Sequence, residues 1–176
     1  FGATLPSRSD RRAGPWLVIG NPGSRRVQFF QSALRALEAP PAAVIPYREL
    51  LQSPGLLAGR LTDATLLRIE SPGEDFEVEK LILNAGIEAA ARERVPYLHA
   101  EHLATLEFDR GRVLPPRKWY LGFTKLMESI DSQLTESGHC HSMNSPGEIT
   151  VLFDKRLCRD RLARAGTPIP LALQAN

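Results

Sequence analysis

Apolar positions along this chain follow two alternating rhythms. Short unbroken apolar runs bounded by Gly, Pro or Asn read as buried strands, and apolar residues spaced three and four apart read as helices. The first run is "WLVIG" (Trp16 to Gly20), closed by Asn21-Pro22-Gly23. Ser24 then precedes "RRVQFFQSALRALEA", in which Val27, Phe30, Leu34 and Leu37 share one helical face. "AAVIPY" is a second short strand stopped by Pro46, and "RELLQ" is a short helix. "ATLLRIE" (Ala64 to Glu70) is a third strand, and the helix after it carries Val78, Leu81, Ile82, Ala85 and Ala89 on one face. "VPYLHA" reads as a fourth strand. "LEFDRGRVL" alternates around Asp109-Arg110-Gly111 and predicts a β-hairpin, or a strand with a tight turn. A long helix follows in "PRKWYLGFTKLMESIDSQLTES", with Trp119, Phe123, Leu126, Ile130 and Leu134 as its stripe. A last helix runs from about Phe153 to Ala165, closed by Gly166 and Pro168.

Strands alternating with helices predict an α/β fold: a short parallel sheet of about four strands with helices on both faces. The expected order places Trp16–Gly20 centrally, between Ala42–Ile45 and Thr65–Ile69. Residues 1–14 read as a disordered leader, 15–143 as the α/β domain and 144–176 as a helical extension.

The tetrapeptide Ser-Pro-Gly-Glu occurs twice, at 71–74 and 145–148. A capping Ser, Pro at the first helical position and a nearby Glu mark a helix start. Both copies therefore predict helix N-termini, with Ser71 and Ser145 near the caps. The flanking sequences do not align without a gap, which argues against an internal duplication. In parallel sheets, ligands bind where strands end and helices begin. Gly20 and Asn21 lie at one such point, and Ser71 and Gly73 at another, so these four are candidate substrate-binding residues. A helix start after a strand also offers free N–H groups to an anion. "GNPG" lacks the spacing of a dinucleotide fingerprint.

Composition narrows the classes. The chain has 176 residues, of which 43% are hydrophobic and 24% charged, so it can bury a core. A net charge of +2 gives no argument for nucleic acid or a membrane surface, and no apolar run approaches a transmembrane span. Two cysteines, Cys140 and Cys158, provide no disulfide framework, so a reducing cytoplasm is the default compartment. Arg25 and Arg26, with Arg8, Arg11 and Arg12, read as solvating the leader and the first turn. His139-Cys140-His141 lacks the spacing of a structural zinc site, and no metal is expected in this chain. His139 or His141 lining a substrate cleft is a further reading. Nothing in the sequence orients Cys140 as a nucleophile.

One stretch carries a family likeness. "NSPGEITVLFDKRLCRDRLARAGTPIP" (residues 144–170) resembles the junction that opens the nucleotide-binding half of ATP-grasp enzymes. The matching positions are Asn144, Pro146, Ile149, Asp154-Lys155, Leu162, Ala165-Gly166, Pro168 and Pro170, and Thr167 departs from the usual β-branched apolar residue. The resemblance implies a Rossmann-like pre-ATP-grasp domain over 15–143. It also implies that residues 144–176 lead into an ATP-grasp domain beyond Asn176. It makes Lys155 a contact to the nucleotide phosphates and adds Asn144 to the substrate-binding candidates. A lysine at a helix start is disfavoured by the helix dipole, which is an independent hint of a role. The parent enzyme would use ATP and magnesium to activate a small carboxylate as an acyl phosphate and pass it to an amine or thiol. This portion alone would be inactive, with no catalytic residue of its own and no cofactor. Its partners would be the carboxylate and its own ATP-grasp domain, and a homodimer is compatible. The alternative is a stand-alone α/β module that binds a small anion or a protein partner.

Overall fold

The first three apolar runs form the centre of a four-stranded parallel sheet in the computed structural model of the chain, which describes residues 15–63, 65–73, 75–95, 99–138 and 140–170. The strands are β1 (Trp16–Ile19), β2 (Ala43–Ile45), β3 (Leu66–Ile69) and β4 (His141–Ser142), in the order β2-β1-β3-β4. Leu17 pairs with Ala43 on one side of β1 and with Leu67 on the other, so β1 is central, as its uninterrupted apolar character requires.

Period-two alternation sends the strand side chains to two cores. Leu17, Ile19, Ile45, Leu67 and Ile69 pack beneath α2 (Tyr47–Gln52), α3 (Phe76–Ala85), α6 (Pro116–Ser137) and α7 (Pro146–Phe153). Val18, with Trp16 and Val44, faces the opposite side and packs on Val27, Phe30 and Leu34 of α1 (Arg25–Ala36). Helices thus cover both faces, with most of the apolar volume on one. Leu37, expected on the α1 stripe, is the exposed C-cap of that helix.

Three expectations need correction. No strand occurs over residues 106–114, so there is no hairpin there. The Asp109 turn exists, its carboxylate accepting from the Gly111 N–H at 2.9 Å. Phe108 and Val113 are exposed, however, and alternation without a face to bury gives no ladder. The strand expected at Val95–Ala100 falls partly on residues 96–98, outside the described residues. Val95 and His99 beside them are not strand, and Ala100 begins α5 (Ala100–Ala104). The fourth strand is instead β4, a two-residue polar segment between α6 and α7. The helix after β3 breaks at Gly86, which separates α3 from α4 (Ile87–Arg92). The expected leader (residues 1–14) and the end of the expected extension (171–176) lie outside the described residues.

The last helical stretch is two helices. Asp154 ends α7 and caps α8 (Lys155–Arg164), its carboxylate accepting from the N–H groups of Arg156 and Leu157 at 3.0 and 3.1 Å. No residue of α8 is buried.

A surface ion pair ties α6 to the end of α4. Arg117 donates to both oxygens of Glu93 at 2.8 and 2.7 Å. That fork of hydrogen bonds and charge holds the Glu93 carboxyl below its ordinary 4.5. A depressed carboxyl stabilises the fold above its unfolded pKa, and that stabilisation is lost as pH falls through the lower folded value. The stability gap between wild type and Arg117→Ala should therefore be present at about pH 7 and close as pH drops below the ordinary carboxylate range. Urea melts of both proteins across that range check it.

Candidate functional site: the crevice between β1 and β3

The chain leaves β1 on one side toward β2 and returns to pair β3 on the other. The carboxyl ends of β1 and β3 thus form the point where the strand order switches direction, the usual place for a ligand in such sheets. Two proline-glycine loops meet there. The Asn21 side chain, buried, donates to the Pro72 carbonyl at 2.8 Å and locks one loop to the other. Gly20 is required by close approach. A Cβ there would stand 2.9 Å from Val27 Cγ2 and 3.2 Å from Glu70 Cβ. Of the four candidates at this end of the sheet, Gly20 and Asn21 therefore build the loops, and Ser71 and Gly73 line the opening.

The crevice they border has a volume of about 320 Å³ and is lined by Ser24, Arg25, Arg26, Phe29, Ser71 and Gly73. Ser24 caps α1, its hydroxyl accepting from the Val27 N–H at 3.3 Å. The Arg25 guanidinium lies 5.5 Å from the centre of the Phe29 ring. At Glu70, just before Ser71 in the chain, the backbone carbonyl accepts from the buried Tyr47 hydroxyl at 2.5 Å. Burial, and then the Glu70 charge, push the Tyr47 phenol far above its ordinary range, so it stays a donor at any physiological pH. Arg68 neutralises Glu70 through a 2.5 Å contact and rests 4.6 Å from the centre of Phe30. Among the described residues the lining therefore offers two guanidinium groups, two hydroxyls and a helix N-terminus. That chemistry suits a carboxylate or phosphate.

Arg25 and Arg26 are the residues the sequence reading assigned to solvation. The signal was present: basic residues in a first helical turn oppose the dipole. The same reasoning, applied to Lys155, applies to "SRR".

The two copies of Ser-Pro-Gly-Glu differ in structure. In the second, Ser145 caps α7, accepting from the Glu148 N–H at 3.5 Å, with Pro146 at the first position. In the first, Ser71 is not a cap. Its hydroxyl accepts from the Gly73 N–H at 3.3 Å in a local turn, and α3 begins later, capped by Asp75 through the N–H groups of Glu77 and Val78, both at 3.1 Å. Asp75, two residues beyond Gly73, takes the cap of α3 with a charge that suits the helix dipole, and Ser71 and Gly73 are left to line the crevice.

Asn144 lies apart from the crevice lining. Its amide continues the sheet: Oδ1 accepts from the Ile69 N–H at 3.2 Å and Nδ2 donates to the Ile69 carbonyl at 2.8 Å. Lys155 is the exposed first residue of α8 and is also absent from the crevice lining. His139 lies outside the described residues, and His141 is exposed on β4. Cys140 packs against the core with its thiol pushed up by burial. Among the described residues no three His, Cys, Asp or Glu side chains stand together as metal ligands, and no helix is long and apolar enough to cross a membrane.

Comparison of the chain with protein-family models, characterised proteins and solved structures finds no match.

Proposed function

We propose that this chain is the N-terminal portion of an ATP-grasp ligase that joins a carboxylate to an amine or thiol. In this reading residues 15–143 are the Rossmann-like pre-ATP-grasp domain and residues 144–176 lead into the ATP-grasp domain. The crevice between β1 and β3 receives the carboxylate. The observation that carries the reading is the helix pair after β4. Leu152 on α7 is 58% exposed, and Leu157 and Leu162 on α8 are 51% and 42% exposed. Leucines exposed on a helix that buries nothing support a covering element. The resemblance of residues 144–170 names the covering element as the ATP-grasp domain of the same enzyme.

Lys155 fits a phosphate contact. Its ammonium is exposed, and Asp154, the neighbouring acid, is engaged in capping α8. ATP supplies the phosphoryl group that activates the carboxylate. Magnesium ligands are not assembled by the described residues, and no step through a metal is assigned to them. Two free thiols agree with a reducing cytoplasm.

In a protein that contains both this chain and the ATP-grasp domain, Lys155→Ala should weaken ATP binding about ten- to a hundredfold, the worth of one charge-assisted phosphate contact. Calorimetry measures it, with circular dichroism to verify the fold. Wild-type affinity in the variant would remove the residue from the nucleotide site.

The crevice itself favours a second reading, a stand-alone module for a small anion, because its lining lies wholly within one domain. Saturable binding of a dicarboxylate by the 176-residue chain, abolished in Arg25→Ala/Arg26→Ala, would support that module. It would replace the ligase reading if Lys155→Ala had no effect on ATP in any context.

A further inference from the structure

On the face of the sheet that carries α3, α6 and α7, the first turns of α3 and α6 and the end of α7 border a second, open cavity. It has a volume of about 320 Å³ and is lined by Glu79, Leu114, Pro116, Trp119, Tyr120 and Phe153. A smaller cavity of about 130 Å³ shares Glu79 and Leu114 with it and adds Phe76, Phe108, Asp109, Arg110 and Arg112, of which Arg112 lies 3.8 Å from Asp109. The Trp119 and Phe153 rings lie 5.5 Å apart with their planes inclined at 31°, and Phe76 meets Phe108 edge to face at 5.6 Å. We propose that this cavity binds an organic ammonium group, with Glu79 as its counter-ion and Trp119, Tyr120 and Phe153 as an aromatic wall.

Charge pairing around the cavity carries the argument. Each neighbouring cation that touches an aromatic ring already has its own acid. Lys80 lies 5.2 Å from the centre of Phe76 and pairs with Glu77 at 2.8 Å. Arg117 lies 5.4 Å from the centre of Tyr120 and pairs with Glu93. Asp75 is engaged in capping α3. Among the described residues no cation pairs with Glu79. A half-buried carboxylate with no ion-pair partner among the described residues, lining one cavity with three aromatic side chains, has the composition of an ammonium site. Burial and the adjacent Asp75 push the Glu79 carboxyl above its ordinary range, as expected of an acid whose counter-charge is absent. This inference does not depend on the ligase reading, since it uses neither the crevice nor Lys155.

The chain contains two tryptophans, so Trp16→Phe leaves Trp119 as a reporter inside the proposed site. Its fluorescence is titrated with choline, with butylamine, and with the uncharged carbon isostere of choline in which a tert-butyl group replaces trimethylammonium. The expected result is a saturable change with one or both ammonium compounds and none with the isostere. In Glu79→Gln the affinity should fall about tenfold, with an unchanged circular dichroism spectrum. Arg110 lines the smaller cavity, and Arg110→Ala should bind the ammonium as well as or better than the parent. Three results would overturn the proposal: equal binding of the isostere, no saturable response to either ammonium compound, or full affinity in Glu79→Gln. Loss of binding in Arg110→Ala would also overturn it, by reversing the charge of the site.

Discussion

Gly122→Ala should destabilise the protein by about 3 kcal/mol or more, although alanine is the better helix former. Gly122 lies in the interior of α6, in its second turn, where propensity alone would credit the substitution with about 1 kcal/mol of added stability. Packing reverses the sign. At Gly122, α6 crosses the end of α3 with backbone against backbone. A Cβ on Gly122 would overlap the Ile82 carbonyl and stand 2.9 Å from the Gly86 nitrogen. A Cβ on Gly86 would overlap the Lys118 carbonyl and stand 2.9 Å from the Gly122 nitrogen. These neighbours are main chain and cannot rotate aside. The helices must separate, and Phe123 and Ile82, both fully buried, would lose their fit. For a domain of this size, 3 kcal/mol is roughly a 10 °C drop in Tm. Thermal and urea melts test it, and a variant as stable as wild type would show that the crossing is looser than described. The same geometry explains why α3 stops at Gly86. A residue with no side chain there serves the crossing and weakens the helix at once.

What could be read from the sequence follows the physics of each element. The order of the first three strands was legible because each is a short, mostly apolar run between turn signals, and β1 is the most uniformly buried of them. The long helix was legible because its stripe continues over 22 residues. β4 was not legible. Its two residues are exposed and polar, and the segment becomes strand only because the carbonyls of β3 were left without partners. The false hairpin is the complementary case, a correct alternation with no surface to bury it. The placement of Gly20, Asn21, Ser71 and Gly73 at one end of the sheet was legible from topology alone, since loops at strand ends converge whatever their chemistry. Their division into loop builders and crevice lining could not be read, because it depends on a contact from Asn21 to Pro72 across 51 residues. Gly122 was hidden inside an apolar stripe that reads well without it. Asp75 was hidden by the Ser-Pro-Gly-Glu just before it, which has the stronger motif and the weaker cap.

Asn144→Ala is expected to cost roughly 2–4 kcal/mol, because the residue acts as a rung of the sheet. Along the free edge of β3, the carbonyls of Thr65 and Leu67 accept from the backbone N–H groups of His141 and Met143 at 3.1 and 2.8 Å. The next carbonyl on that edge belongs to Ile69. No backbone donor from the β4 segment meets it, since the chain turns toward α7. The Asn144 amide takes that place and also accepts from the Ile69 N–H, reproducing with a side chain the paired donor and acceptor of a peptide group. Alanine would leave two main-chain groups of a core strand without partners, at about 1–3 kcal/mol for a buried group left unsatisfied. Asn144→Asp would keep the acceptor but set a carboxylate oxygen against the Ile69 carbonyl, and should be at least as damaging. A ligand-contacting asparagine behaves differently: its removal changes affinity and leaves the melting curve in place. Urea melts of the two variants therefore separate the roles. Unchanged midpoints in both would return Asn144 to the substrate-binding residues. A large shift in both would show that this end of the sheet, from which α7 and Lys155 depart, is held in position by one side chain.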